Sequence, residues 1–290
     1  MRLIPLNLLT LYEDVVQRVQ YSDVPPGSIS RKVIDGKAHL YAAINAGASR
    51  RQIYLGPEDN PQTGLKAARY RRAAEAARDT KRAISALRRA GFPTIAIEVG
   101  RLLEAIHTAK LFEAGFVLVG TMAYQLYPPV VGAFLSASAS RTQDADFAVA
   151  RFALPRLAGK GDIQAILRTA DPSFEPRWHR DDKLPRAFIS TRGLLVELLT
   201  TMGRSENPVE IKALNCAAQP LKYMEYLIQD PIEVVALHGI GVRVKLPQPA
   251  QQIVFQEGVR AVDEQVDRVR RIEAELRDLA PRWRLAPVVN

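Results

Sequence analysis

Hydrophobic and polar positions change period several times along the chain, and each change predicts an element. Over residues 3–20, Leu9, Tyr12, Val16 and Val19 recur at helical spacing, which predicts an amphipathic helix. Pro25, Pro26 and Gly27 then mark a turn region. The stretch 27–57 reads as three short strands, at 28–34, 39–44 and 51–55. Asp35-Gly36 joins the first two, because a type I′ hairpin turn needs positive φ at both central residues. Gly47 marks the second turn. A sheet of this size is too small to stand alone.

Residues 66–90 change character. They are rich in Ala and Arg, strong helix formers, and Gly91-Phe92-Pro93 stops them. A second helix is predicted over 94–114, with Ile97, Leu102, Leu103, Ile106 and Leu111 as its apolar stripe and His107 packing beside it. Phe116 to Val119 is a short continuous apolar run, the pattern of a strand buried on both faces. Gly120-Thr121 opens a short helix over 122–127. Residues 140–150 and 191–201 read as further strands, and 221–228 as an amphipathic helix. Gly239 and Gly241 lie between two short strands, which predicts a hairpin turn rather than a phosphate loop. From 251 to 279, Val254, Val259, Val262, Val266, Val269, Ile272 and Leu276 predict a long amphipathic helix against the core or a partner subunit.

Composition narrows the class. Of 290 residues, 47% are apolar and 24% charged, the balance of an ordinary folded protein. Cys216 is the single cysteine, which excludes an intrachain disulfide and a cysteine-based zinc site. The N-terminal stretch is interrupted by Pro5, Asn7, Glu13 and Asp14 and does not read as a signal peptide. No apolar run reaches membrane-spanning length, so a cytoplasmic protein without a membrane partner is expected. Lys and Arg number 40 against 31 Asp and Glu, a formal net charge of +9, which favours polyanionic partners. Nine of those cations fall within 66–90, against Glu75 and Asp79 alone. That stretch reads either as a nucleic-acid backbone contact or as a solvated face bridging two lobes.

Three features carry candidate chemistry. Gly120-Thr121, between strand and helix, presents backbone N–H groups that suit a phosphate, though the pair is also an ordinary turn. Asp144 and Asp146 stand two apart on a predicted strand and so share a face. Paired carboxylates repel unless a cation compensates, and Mg²⁺ binds through carboxylates and substrate phosphates. Their alternative is a solvated edge strand. Glu197 is the one charge in a run of Leu and Val, costly to bury without a partner, and its alternative is likewise an edge strand facing water. The polar cluster Arg177 to Lys183, with Trp178, reads as a surface loop or as a contact to a base.

In series, Gly120-Thr121, Asp144-Ala145-Asp146 and Glu197 resemble the polymerase-β-like nucleotidyltransferase superfamily, whose signature is a Gly-Gly/Ser pair, an acid-x-acid strand and a third acid on a neighbouring strand. Thr121 stands where the signature has Ser or Gly and keeps the hydroxyl. A branch of bacterial nucleotidyltransferase-fold proteins is similar over roughly 7–250, through GSISRK…DGKAHLY…RRQIYLGP, LVGTMAY…TQDADF and the block at 219–249. The chain departs from that branch after the Pro-rich stretch. An H-K-L-like motif and a basic helix are absent, with no His or Lys after Lys245. Any acceptor-binding role of that lobe is thereby in doubt.

The resemblance implies an α+β nucleotidyltransferase fold, a mixed sheet flanked by helices, with a small N-terminal three-stranded sheet and helical extensions. The expected division is 1–65 (helix and small sheet), 66–110 (basic helical connector), 111–205 (nucleotidyltransferase core) and 206–290 (strands, then the long helix). The implied activity is transfer of a nucleoside monophosphate from an NTP such as ATP to an acceptor hydroxyl, with Mg²⁺ or Mn²⁺. Asp144, Asp146 and Glu197 are the implied catalytic and metal-binding residues. Gly120, Thr121, Arg141 and Lys222 are the implied nucleotide-binding residues. RNA, such as a tRNA end held by 66–90, is the leading acceptor, and a toxin of a toxin–antitoxin pair is consistent with such chemistry. The alternative is a catalytically inactive module of the same fold that binds nucleic acid or a partner protein. A DNA-associated regulator using the 27–57 sheet is a third reading.

Overall fold

The computed structural model describes residues 2–21, 24–46, 49–135, 143–180 and 182–256. The N-terminal part contains β1 (Arg2–Leu3), α1 (Leu6–Gln20), β2 (Gly27–Ile34), β3 (Lys37–Ala46), β4 (Ser49–Pro57) and α2 (Pro61–Arg89). There follow α3 (Ile97–Thr108), β5 (Phe116–Val119), α4 (Gly120–Tyr124), α5 (Pro128–Val131), β6 (Ala133–Phe134), β7 (Asp144–Val149) and α6 (Ile163–Ala170). The rest comprises β8 (Glu175–Arg177), β9 (Ala187–Ile189), β10 (Leu195–Thr201), β11 (Val209–Ile211), β12 (Cys216–Leu221), α7 (Met224–Ile228), β13 (Ile232–Ala236), β14 (Val242–Leu246) and α8 (Pro249–Gln256).

The main sheet is mixed. Its strand order is β11-β12-β10-β7-β5, with β9 pairing the first half of β10 on the edge that β12 takes further along, and β8 pairing β9. Strands β7, β10 and β12 run parallel, whereas β5, β9 and β11 run antiparallel to their neighbours. Side-chain alternation divides its two faces. Phe116, Leu118, Ala145, Phe147, Val149, Val196 and Leu198 enter the large core with α3, α6 and the β13–β14 hairpin. Val117, Val119, Ala148 and Ala150 pack instead on Met224, Leu227 and Ile228 of α7. The apolar run of β5 is therefore buried on both faces, as its lack of alternation predicts.

The small sheet has the order β2-β3-β4, all antiparallel. Asp35 (φ 50) and Gly36 (φ 77) both take positive φ at its first turn. Leu40, Ala42 and Leu55 on one face pack with Ala67 of α2. At its other end α2 joins α1: Ile84 and Leu87 share a core with Leu9, Tyr12, Val15 and Phe92. Tyr12 Oη donates to the Val235 carbonyl and accepts from the Val235 N–H, both at 3.0 Å, which ties α1 to β13. A 29-residue helix thus supports the small sheet at one end and meets the main body at the other.

Helix α2 begins earlier than its composition predicts because Asn60 Oδ1 accepts from the Gln62 N–H at 2.9 Å and Pro61 occupies the first turn. Replacing Asn60 with Ala is expected to cost about 1 kcal/mol, read as a lower denaturation midpoint with unchanged slope. Helix α3 is shorter than predicted, ending where Lys110 takes φ 59. Gly239 (φ 59) and Gly241 (φ 95) lie in the β13–β14 connection, the predicted hairpin. Most of the predicted 251–279 helix lies outside the described residues. Among the described residues, no helix is long and apolar enough to cross a membrane.

Candidate active site

The two aspartates and the glutamate come from adjacent parallel strands. Asp144 pairs with Leu195 and Asp146 with Glu197, while Val119 pairs with Asp146 from the other side. Paired residues on neighbouring strands point to one face. Asp144, Asp146 and Glu197 therefore share a face of the sheet, the one that α7 covers further along through Ala148 and Ala150. Asp144 is exposed, and Asp146 and Glu197 are half-buried.

Gly120 follows Val119 directly and takes φ +72, a left-handed conformation that L side chains rarely adopt. A Cβ at Gly120 would overlap Asp146 Oδ2. The main chain at Gly120 is thus pressed against the Asp146 carboxylate, and Thr121 beside it is half-buried.

The electrostatics follow from this crowding. Burial, then the Glu197 carboxylate, then that of Asp144, push the Asp146 carboxyl up to about 6. Among the described residues, no three His, Cys, Asp or Glu side chains gather as a metal site. The donor set nevertheless suits a hard cation in kind. It is all carboxylate, and Mg²⁺ is usually held by one or two carboxylates plus substrate phosphates rather than by a complete protein cage.

The remaining predicted residues fall elsewhere. Arg141 lies outside the described residues, as does Asp181. Lys222 is exposed and pairs with Glu206 at 3.6 Å. It follows Leu221, whose partner Thr201 is four residues beyond Glu197 along β10, roughly 13 Å from the acidic end. The predicted helix at 221–228 begins only at Met224, after Tyr223 takes φ 62, so Lys222 sits in a turn. The cluster after Arg177 includes Asp182, whose Oδ2 lies 3.5 Å from Arg186 Nε, and Arg186 also donates to Gln219. Asp182 and Arg186 line an open cleft of about 530 Å³ between the β8–β9 connection and β11–β12.

One residue gains a place that local sequence does not reveal. Arg177 pairs with Ala187, which pairs with Glu197. Arg177, Ala187, Glu197 and Asp146 form one row across four strands, so Arg177 lies on the carboxylate face about two strand spacings, roughly 10 Å, from Glu197. Ala187 leaves little side chain between them. Only the pairing register exposes this relation.

A family model described as Nucleotidyltransferase matches residues 97–272, more than half of the chain, and the chain belongs to that family. The match opens at Ile97, the first residue of α3, and leaves α1, the small sheet and α2 outside it. No curated protein matches the chain, and no solved structure does. The mixed sheet flanked by helices, with its small N-terminal sheet, is consistent with a nucleotidyltransferase-like fold.

Proposed function

We propose that the protein transfers a nucleoside monophosphate from an NTP to an acceptor hydroxyl, with Asp144, Asp146 and Glu197 as the acidic set. The observation that carries this reading is the pairing of Glu197 with Asp146, two carboxylates whose mutual repulsion helps raise Asp146 to about 6. Such crowding costs free energy that a divalent cation would offset. In the reaction the acceptor oxygen bonds to the α-phosphorus as the bond to the leaving pyrophosphate breaks. A bound Mg²⁺ or Mn²⁺ supplies neutralisation of the phosphate charge and activation of the acceptor hydroxyl. Asp144 and Asp146 would hold the ion together with the triphosphate, and Glu197 supplies the third carboxylate. Gly120 lets the main chain approach closely, and Thr121 offers its hydroxyl and N–H to phosphate oxygens.

Lys222 is left out of this set because of its place at the far end of β12. Arg177 is included, as a cation on the carboxylate face within reach of a triphosphate or an acceptor phosphate. Arg177→Ala is expected to raise KM for NTP or acceptor about tenfold, the loss of one charge-assisted hydrogen bond, while kcat stays within about threefold. Steady-state kinetics with each substrate varied in turn separates the two partners.

RNA is the proposed acceptor. Net charge favours it, and so does α2, where Lys66, Arg71, Arg72 and Lys81 are exposed. The deciding experiment is transfer of label from each α-labelled NTP, with Mg²⁺, into total tRNA and cell lysate, wild type beside Asp146→Asn. Label made by wild type alone establishes the activity and identifies base and acceptor together.

A second reading is a nucleotidyltransferase fold that binds RNA without turnover. It is motivated by the departure of the sequence after the Pro-rich stretch, where no His or Lys follows Lys245. No label from any NTP, with RNA binding intact in both proteins, would decide for it.

A further inference from the structure

The outward face of the small sheet lies outside the family match and has no role in the reading above. Its pairing rows are Ser28–Ala43–Gln52, Ser30–Tyr41–Tyr54 and Lys32–His39–Pro57, with Ile34 opposite Lys37 at the hairpin. The opposite face, carrying Leu40, Ala42 and Leu55, is the one that packs on α2. The outward face therefore carries three rings on adjacent strands. The Tyr41 and Tyr54 centroids are 5.2 Å apart and tilted, and those of His39 and Tyr54 are 5.7 Å apart. Tyr54 is 53% exposed, and Tyr41 and His39 are half-buried.

The polar groups around the rings are already positioned. His39 Nδ1 and Tyr54 Oη are 2.9 Å apart. Lys32 Nζ donates to Gln52 Oε1 at 2.8 Å and lies 4.8 Å from the centre of the Tyr41 ring. Arg50 donates to Ser28 Oγ at 3.0 Å. Lys32 and Arg50 are thus held by neutral groups, and Lys37 adds a third cation at the hairpin end. None of the positions in those rows is a carboxylate. Of the acids at the rim of the sheet, Asp35 lies in the β2–β3 turn and Glu58 pairs with Arg31 of the other face at 2.7 Å.

One exposed and two half-buried rings on an antiparallel sheet, framed by cations and with no acid in their pairing rows, are suited to unpaired bases. Bases stack on the rings, and the cations follow the backbone. Hydroxyl, amide and imidazole groups among them suit a ribose 2′-OH. A duplex offers no free base faces, so an electrostatic contact alone would leave the rings unexplained.

We propose that the outer face of β2–β4 binds single-stranded RNA, stacking bases on Tyr54 and Tyr41 while Lys32, Lys37 and Arg50 contact phosphates. This deepens the RNA-acceptor reading by placing the RNA, but it does not require turnover. The test is fluorescence anisotropy of the full chain, without NTP or metal, titrated against a short labelled oligouridylate RNA. The deoxy counterpart and an RNA duplex run in parallel. Wild type is expected to bind the single-stranded RNA most tightly. Tyr54→Ala is expected to raise Kd roughly 5- to 100-fold, while Tyr54→Phe, which keeps the ring, stays within about threefold. Arg50→Ala is expected to flatten the salt dependence of log K by about 0.7. Asp146→Asn is expected to bind as wild type does, so a failed transfer assay leaves this test intact. Circular dichroism and melting curves verify that each variant is folded. The proposal is overturned if wild type does not bind, if a folded Tyr54→Ala binds unchanged, or if DNA or duplex binds equally well.

Discussion

Asp146→Asn is expected to lose label transfer roughly 1,000-fold or more and, in metal-free buffer near neutral pH, to melt above wild type. The two effects have one origin. Burial and two neighbouring carboxylates raise Asp146 from 3.8 to about 6 in the folded protein. The folded chain therefore keeps a proton that the unfolded chain has already released. Stability that depends on this proton is fully present below pH 3.8, falls as the pH rises to about 6, and is lost above that value. Asn carries no charge to repel, so the variant escapes this loss. The difference is on the order of 3 kcal/mol above pH 6 and vanishes below the ordinary carboxylate range. A pH series of melting curves in chelator reads it directly, and equal curves above pH 6 would mean the carboxylates are not crowded. Added Mg²⁺ is expected to raise the melting temperature of wild type and to leave the variant nearly unmoved, since a ligand stabilises only the state that binds it.

What the sequence made legible is what neighbouring residues decide. Asp35-Gly36 needs positive φ twice, and both residues have it. The run at 116–119 has no alternation, and each of its residues is buried. The period-two spacing of Asp144 and Asp146 predicts a shared face, and a strand over Asp144–Val149 provides it. Long-range pairing was not legible. Nothing local says that Glu197 rather than Leu195 opposes Asp146, or that Arg177 completes the row through Ala187, because register follows from how hydrophobic faces pack across the whole sheet. The same limit explains Lys222. Its spacing resembles the start of a helix, but β12 runs parallel to β10 and so carries its last residues away from the acidic end. The outward face of the small sheet was legible only in part. Alternation separates Tyr41 and Tyr54 from the core-facing Leu40 and Leu55, yet the irregularity between Leu40 and Tyr41, which sets Tyr54 opposite Tyr41, appears only in the paired strands.

The second large effect is expected at Gly120. Gly120→Ala adds one methyl group and meets two obstacles. A residue with a side chain at φ +72 is strained by about 1–2 kcal/mol. In addition, the new Cβ overlaps Asp146 Oδ2, so either the β5–α4 junction or the carboxylate must move. Overpacking of this kind typically costs another 1–3 kcal/mol. Displacing a reacting group by about 1 Å is enough for roughly a 100-fold loss of rate, so transfer is expected to fall by that order even in protein that remains folded. The two obstacles separate in a double-mutant cycle with Asp146→Ala, which removes the oxygen but not the backbone strain. In that background Gly120→Ala is expected to cost only the strain, about 1–2 kcal/mol. The shortfall from its cost in wild type measures how tightly main chain and carboxylate are pressed together. Equal costs in both backgrounds would mean that Gly120 serves the turn alone. A larger cost in wild type, together with the loss of transfer, would make the contact between glycine and aspartate part of the site itself.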